Sequence, residues 1–233
     1  MDITTEEAQD WLPFILQTCD STFPTGAYAH SLGLEEMVRM EQVSDEKSLL
    51  TFLQYHIVPS LIRIDLPLVR ETRKAALVGN LADILEIDRM AGALRMAREL
   101  RDASLWMGRR RLSMMVRIYS TPVLKAFYDV VMEDSCKGHH AVVWGTACMG
   151  VPDAVALSAY FYQSIVCFCV AAPKLIRIGQ EGVQRVLTTC LSETQAVLDQ
   201  AGKVTRAEIG WFDPLLEIAS MRHEIASERL FIS

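Results

Sequence analysis

Ala154-Val-Ala-Leu-Ser-Ala-Tyr-Phe-Tyr-Gln-Ser-Ile-Val-Cys-Phe-Cys-Val-Ala-Ala172 runs for nineteen residues without a charged side chain. As a helix rising 1.5 Å per residue it would be about 28 Å long, close to the thickness of a bilayer core. Yet Ser158, Tyr160, Tyr162, Gln163 and Ser164 are spread through it, and no second such stretch accompanies it. A helix that is apolar on all sides also occurs at the centre of a large helical domain. The composition favours that reading. The chain is 51% hydrophobic and 22% charged, as globular proteins with a sizeable core are. Leu, Ala, Met and Arg are frequent, and such side chains lose little rotamer freedom in a helix. The stretch therefore predicts a central core helix over about Ala154–Leu175, with Asp153 as its N-cap, in an all-α protein.

The flanking sequence agrees. Apolar residues at helical spacing predict helices over Glu6–Thr18, Ala27–Met40 and the segment from Ser44, taken as an N-cap, to Pro59. Others are predicted from near Asp65-Leu-Pro67 to Leu77, over Leu81–Met90, Ala93–Tyr119, Pro122–Met132, Ala141–Met149 and Val183–Gln200, and in the closing segment Leu215–Ser233. Neither β-alternation nor a fixed-period repeat is present. The expectation is one helical domain over 1–233, of roughly eight to ten helices.

A net charge of −6 argues against a general nucleic-acid binder. Neither a phosphate-binding G-x-x-x-x-G-K-[ST] loop nor G-x-G-x-x-G after a strand occurs, so nucleotide hydrolysis by this chain is not expected. Cys19, Cys136, Cys148, Cys167, Cys169 and Cys190 form no C-x-x-C pair, and the first ten residues are acidic without an apolar run. Reduced thiols and a cytoplasmic location, with no membrane association, are expected.

Polar chemistry concentrates in Thr22–Glu36, where the breaker Pro24-Thr25-Gly26 leads into Tyr28, His30, Ser31 and Glu35. Ala29-His30-Ser31-Leu32-Gly33 lies one residue away from a G-x-S-x-G nucleophile elbow, which makes a serine hydrolase the alternative reading. That elbow needs an apolar strand before the serine, and Pro24–Tyr28 is a poor one. Cys136, His139 and His140 offer thiolate and imidazole ligands, the weak candidates for a metal site. Two adjacent histidines and one cysteine do not close such a site, so a loop and helix start is the plainer reading. Glu35 and Glu36 diverge by about 100° on a helix and make no acid/base dyad. Arg89, Arg95, Arg98, Arg101, Arg109, Arg110, Arg111 and Arg117 form a basic concentration, read first as a solvated face with local pairs and second as a surface for an acidic partner protein. The closing stretch, Ser220–Ser233, carries His223, Glu224, Arg229, Leu230, Phe231 and Ile232 to its last residues and looks built to bury against its own core or a partner.

At its two ends the chain resembles the UreF family of urease accessory proteins. The opening signature stands here as Pro24, Gly26, Tyr28, His30, Ser31, Gly33, Leu34 and Glu35. The closing one stands as Met221, His223, Glu224, Arg229, Leu230, Phe231 and Ser233. Arg101, Ser104, Met107, Gly108, Leu112, His140 and Gly145 fit its middle. Thr25 and Ala27 depart from the pattern. The resemblance implies an all-α, homodimeric, non-enzymatic scaffold without a cofactor. Its tail, about 220–233, would dock a UreD/UreH-type accessory protein. The scaffold would then recruit the GTPase UreG, whose GTP hydrolysis it would modulate, for nickel delivery to apo-urease. Tyr28 and Arg229 would support the docking surface, with Ser31 and the tail residues around them; His30 and Glu35 would be interface or packing residues, or else hydrogen-bond within their own helix.

Overall fold

The computed structural model describes residues 7–233, with side chains from Trp11 onward. Glu6 and the side chain of Ala8, which belong to the expected first helix, lie outside the described residues. All regular structure in the described residues is helical. The helices are α1 (Glu7–Cys19), α2 (Leu34–Arg39), α3 (Glu46–Phe52), α4 (Val58–Ser60), α5 (Leu66–Leu77), α6 (Leu81–Ala93) and α7 (Arg98–Ile118). They continue as α8 (Pro122–Met132), α9 (His140–Ala147), α10 (Asp153–Leu175), α11 (Gln180–Ser192), α12 (Thr194–Lys203) and α13 (Pro214–Glu224). Their buried apolar side chains form one continuous cluster.

The uncharged stretch forms α10, which packs against α1, α2, α5, α9, α11 and α12. Its length and hydropathy would suit a membrane span, but half of its most apolar window is buried within the protein. Its outer edge shows Tyr162 and Val170. The most enclosed helix is α9, buried from His140 through Thr146. Small residues let its neighbours close in. A Cβ on Gly145 would come within 2.7 Å of the Val69 carbonyl oxygen on α5. A Cβ on Gly108 of α7 would overlap the Gly138 carbonyl oxygen at the entry to α9. The indole of Trp144 donates to the Ala156 carbonyl at 2.9 Å and ties α9 to α10.

Several expected boundaries move, each for a local reason. Pro59 does not end its helix: the chain stays helical from Glu46 to Leu77, with π-helical turns at Leu53–Ile57 and Leu61–Asp65. Each π turn closes one residue before a proline, through Val58 N–H to Leu53 O and Leu66 N–H to Leu61 O. The widened turn carries the carbonyl away from the pyrrolidine ring that would otherwise clash with it. Asp45 rather than Ser44 caps α3, in a reciprocal box with Ser48. Asp153 is the first residue of α10, not its cap, and its carboxylate pairs with buried Arg73. Arg73 also gathers the carbonyls of Cys148, Met149 and Val151. The expected Val183–Gln200 helix divides at Glu193 into α11 and α12. The expected Ala27–Met40 helix is broken: a 3-10 turn over Ala27–Ala29 precedes α2, and Leu32 (φ 52°) and Gly33 (φ 91°) stand between them in the left-handed region.

Candidate functional site

That break in the chain is where the tail binds. Gly26 (φ 76°) turns the chain, and Thr25 Oγ1 accepts from Ala27 N–H at 3.3 Å. Gly33 is bound by space as well as conformation, since a Cβ there would sit 2.8 Å from Leu216 Cδ1 on α13. Leaving the helix frees backbone groups of Ala29, Ser31 and Leu32, and the last residues of the chain take them up. Ile232 N–H donates to Ala29 O at 2.8 Å, Leu32 N–H donates to Ser233 O at 3.2 Å, and Ser31 N–H donates to the same oxygen. His30 Nδ1 lies 2.7 Å from Ser233 Oγ. Burial first, and Arg110 second, hold His30 below the ordinary imidazole range.

Glu35 clamps the tail from below. Its Oε1 accepts Leu230 N–H at 2.9 Å, and its Oε2 accepts Phe231 N–H at 3.0 Å and sits 3.0 Å from His223 Nε2. His223 Nδ1 lies 2.8 Å from Glu99 Oε2, and Glu99 Oε1 receives Arg229 at 3.1 Å. Burial works to raise the pKa of Glu35, but the donors Leu230, His223 and Phe231 outweigh it and hold the carboxyl below the usual range. Arg39 donates to Glu35 and Glu36 and reaches the Glu228 carbonyl at 2.7 Å. The Lys174 ammonium lies 5.1 Å from the centre of the Phe231 ring. Phe231 and Ser233 are thus turned inward and buried. Leu230, Ile232 and Ile225 face out, at 73%, 60% and 84% exposure, and Tyr28, next in sequence to the Ala29 that Ile232 bonds, is 65% exposed.

The chain as a whole is similar to a known family. The UreF family profile matches residues 43–191. A urease accessory protein UreF of Paenarthrobacter aurescens is 34% identical over 219 residues, 93% of this chain and 96% of that one. One of Kocuria rhizophila is 31% identical over 227 residues, 94% of this chain and 95% of that one. The chain belongs to the UreF family of urease accessory proteins. Both similarities run well beyond the profile match, over almost all of this UreF-family chain.

The other candidate chemistries are dispersed by the fold. Ser31 is buried, and its Oγ has no hydrogen-bond partner among the described residues to act as base. Cys136, His139 and His140 face different partners. Cys136 Sγ donates to Asp88 at 2.9 Å, and burial, followed by that carboxylate, pushes the thiol up to about 12. His139 Nδ1 faces Ser104 Oγ at 3.2 Å, and burial holds the imidazole down at about 4. His140 Nε2 accepts from Arg111 at 3.2 Å. Among the described residues, no group of three His, Cys, Asp or Glu side chains is arranged to hold a metal ion. The basic concentration is not one solvated face either. Arg98 has a local pair with Asp102, but Arg95, Arg98 and Arg109 also reach Asp65, Glu224 and Asp134.

Two members of the tail site were not legible beforehand. Glu99 counted in sequence only as an acid among arginines, and it stands 124 residues from the His223 it holds. Arg39, at the end of α2, binds a carbonyl 189 residues away. Nothing local marks either one, because their partners arrive through the tertiary fold.

Proposed function

We propose that this chain is a non-catalytic scaffold of urease maturation. In this reading 1–233 act as one domain, 220–233 form the docking segment, and the protein works in the cytoplasm as a homodimer. The scaffold bridges a UreD/UreH-type accessory protein and the UreG GTPase while nickel, the cargo, is delivered to apo-urease. One observation carries the reading: the tail is held from within by Glu35, His223 and Glu99, while it presents Leu230, Ile232 and Ile225 to solvent and bonds the backbone next to exposed Tyr28. A pre-ordered apolar strip loses little conformational entropy on docking. Large apolar side chains exposed together mark interaction sites. The six free cysteines are in keeping with a reducing compartment.

The test is light scattering on gel-filtered mixtures of this chain with its cognate UreH-type and UreG-type partners. The intact chain is expected to give a two-fold assembly. Leu230→Asp with Ile232→Asp, both on the exposed side of the tail, is expected to lose the UreH-type protein while the fold is kept. An intact chain that is folded yet stays alone would overturn the partner assignment. GTP hydrolysis measured in the same mixtures reads whether the contact changes the rate of UreG.

A further inference from the structure

A cavity of about 220 Å³ opens to the surface at exposed Tyr28, Val170 and Trp211 and borders the tail site through Leu32 and Leu216. Much of its wall is apolar, from Leu61, Ile64, Leu100, Met107 and Phe168. Each carboxylate of its lining is held by a donor. Asp65 is held by Arg95 at 2.6 Å and Tyr160 at 3.0 Å, Asp213 by His56 at 2.7 Å, and Glu217 by Ala97 N–H at 2.7 Å. Asp20, at the rim, accepts from Thr22.

Of the two lining arginines, Arg95 is paired with Asp65 and Arg111 is not paired with an acid among the described residues. Arg111 is 2% exposed. It donates to His140 Nε2, to Thr18 O at 3.1 Å and to Gln163 Oε1 at 2.6 Å, and its guanidinium lies 4.6 Å from the centre of the Trp144 ring. Three of its five N–H groups are thereby used and two remain. Burial brings its pKa down to about 10, so it is still a cation at neutral pH. The Arg111–Gln163 bond orients the amide, and Gln163 Nε2 is left buried without a partner among the described residues. Because His140 Nε2 accepts from Arg111, its proton lies on Nδ1, and the neutral imidazole adds no second positive charge.

We propose that this cavity binds a small monocarboxylate, with its carboxylate received by Arg111 and the Gln163 amide and its apolar body by the surrounding hydrophobic wall. A guanidinium matches a carboxylate with two parallel N–H groups, and a buried cation is stabilised most by a partner of opposite charge. Arg95 is already paired with Asp65, so Arg111 is the one lining arginine open to an anion, and the carboxylates Glu217 and Asp20 nearby disfavour a phosphate dianion. The extent of apolar wall favours a short chain or ring over a bare inorganic ion.

The experiment is calorimetric titration and thermal unfolding of the full chain with benzoate, against benzamide at matched ionic strength. Benzoate is expected to bind and raise the Tm, and benzamide, which has the same body without the charge, to bind at least tenfold more weakly. Gln163→Leu and Arg111→Met are each expected to weaken benzoate at least tenfold. Should Arg111→Met not fold, Gln163→Leu and the benzoate–benzamide pair decide. Absence of benzoate binding, equal binding of the two probes, or undiminished binding by a folded variant would overturn the proposal.

Discussion

Glu35 and His223 stand 188 residues apart in sequence and 3.0 Å apart in space, and the placement of the tail rests on them. Glu35→Gln replaces one acceptor oxygen by an amide that faces N–H donors and leaves Arg39 with Glu36 as its remaining charge partner. Breaking a buried pair from one side costs about 3 kcal/mol or more. Urea unfolding should show such a loss, and the Leu230 and Phe231 amides should lose protection from hydrogen exchange; unchanged protection would refute the clamp. Acid should act in the same direction. The folded pKa of Glu35 lies below its ordinary value of 4.5, so its contribution is complete above that value and is lost as pH falls through the lowered one. The histidines act earlier. His30, His139 and His140 are all held below 6.5, so between 6.5 and their folded values the unfolded chain binds more protons and stability falls with pH. His139, held at about 4, contributes up to about 3 kcal/mol to that loss. Thermal unfolding from pH 7 to pH 4 should show Tm falling first below 6.5; a flat profile there would mean that these rings are not buried neutral.

Among the elements, α9 decides how closely α5 and α7 approach. Gly108→Ala places a methyl group against backbone, and Gly145→Ala places one against the Val69 carbonyl and the Cβ of Thr72. Overpacking of that kind costs about 1–3 kcal/mol. Chemical denaturation of the two variants should show losses in that range; a neutral result at both would mean that α9 is loosely held. At this scale much was legible in the sequence and some was not. The 3.6-residue spacing exposes a helix wherever one face is buried, so α7, α8 and α10 lie close to where periodicity puts them. The π turns before Pro59 and Pro67 were not legible, because a proline is ordinarily a stop and a widened turn leaves no mark in the pattern. Nor did periodicity foresee the break between Ala29 and Leu34. Tyr28 to Val38 carries an apolar spacing fit for a continuous helix, and the backbone departs from it where the tail supplies other hydrogen-bond partners.

For the whole molecule, the described surface sets a rigid core against an apolar strip along the tail. If the strip docks a partner, Leu230→Asp should leave Tm within about 0.5 kcal/mol of equivalent stability, since the side chain is exposed. The same variant should abolish capture of the UreH-type protein. Retained capture at unchanged stability would move the docking surface elsewhere. The sequence by itself determined the all-α class, the core helix at Ala154–Leu175 and the family, because these are carried by local periodicity, composition and ordered short motifs. It also put polar chemistry at both ends of the chain. Only the tertiary structure decided that these ends form one site, that Glu99 and Arg39 complete it, and that Cys136, His139 and His140 face apart. Such relations depend on which groups the packing leaves without water. A buried carboxylate takes whatever donors the fold brings to it, over separations at which the sequence holds no trace of distance.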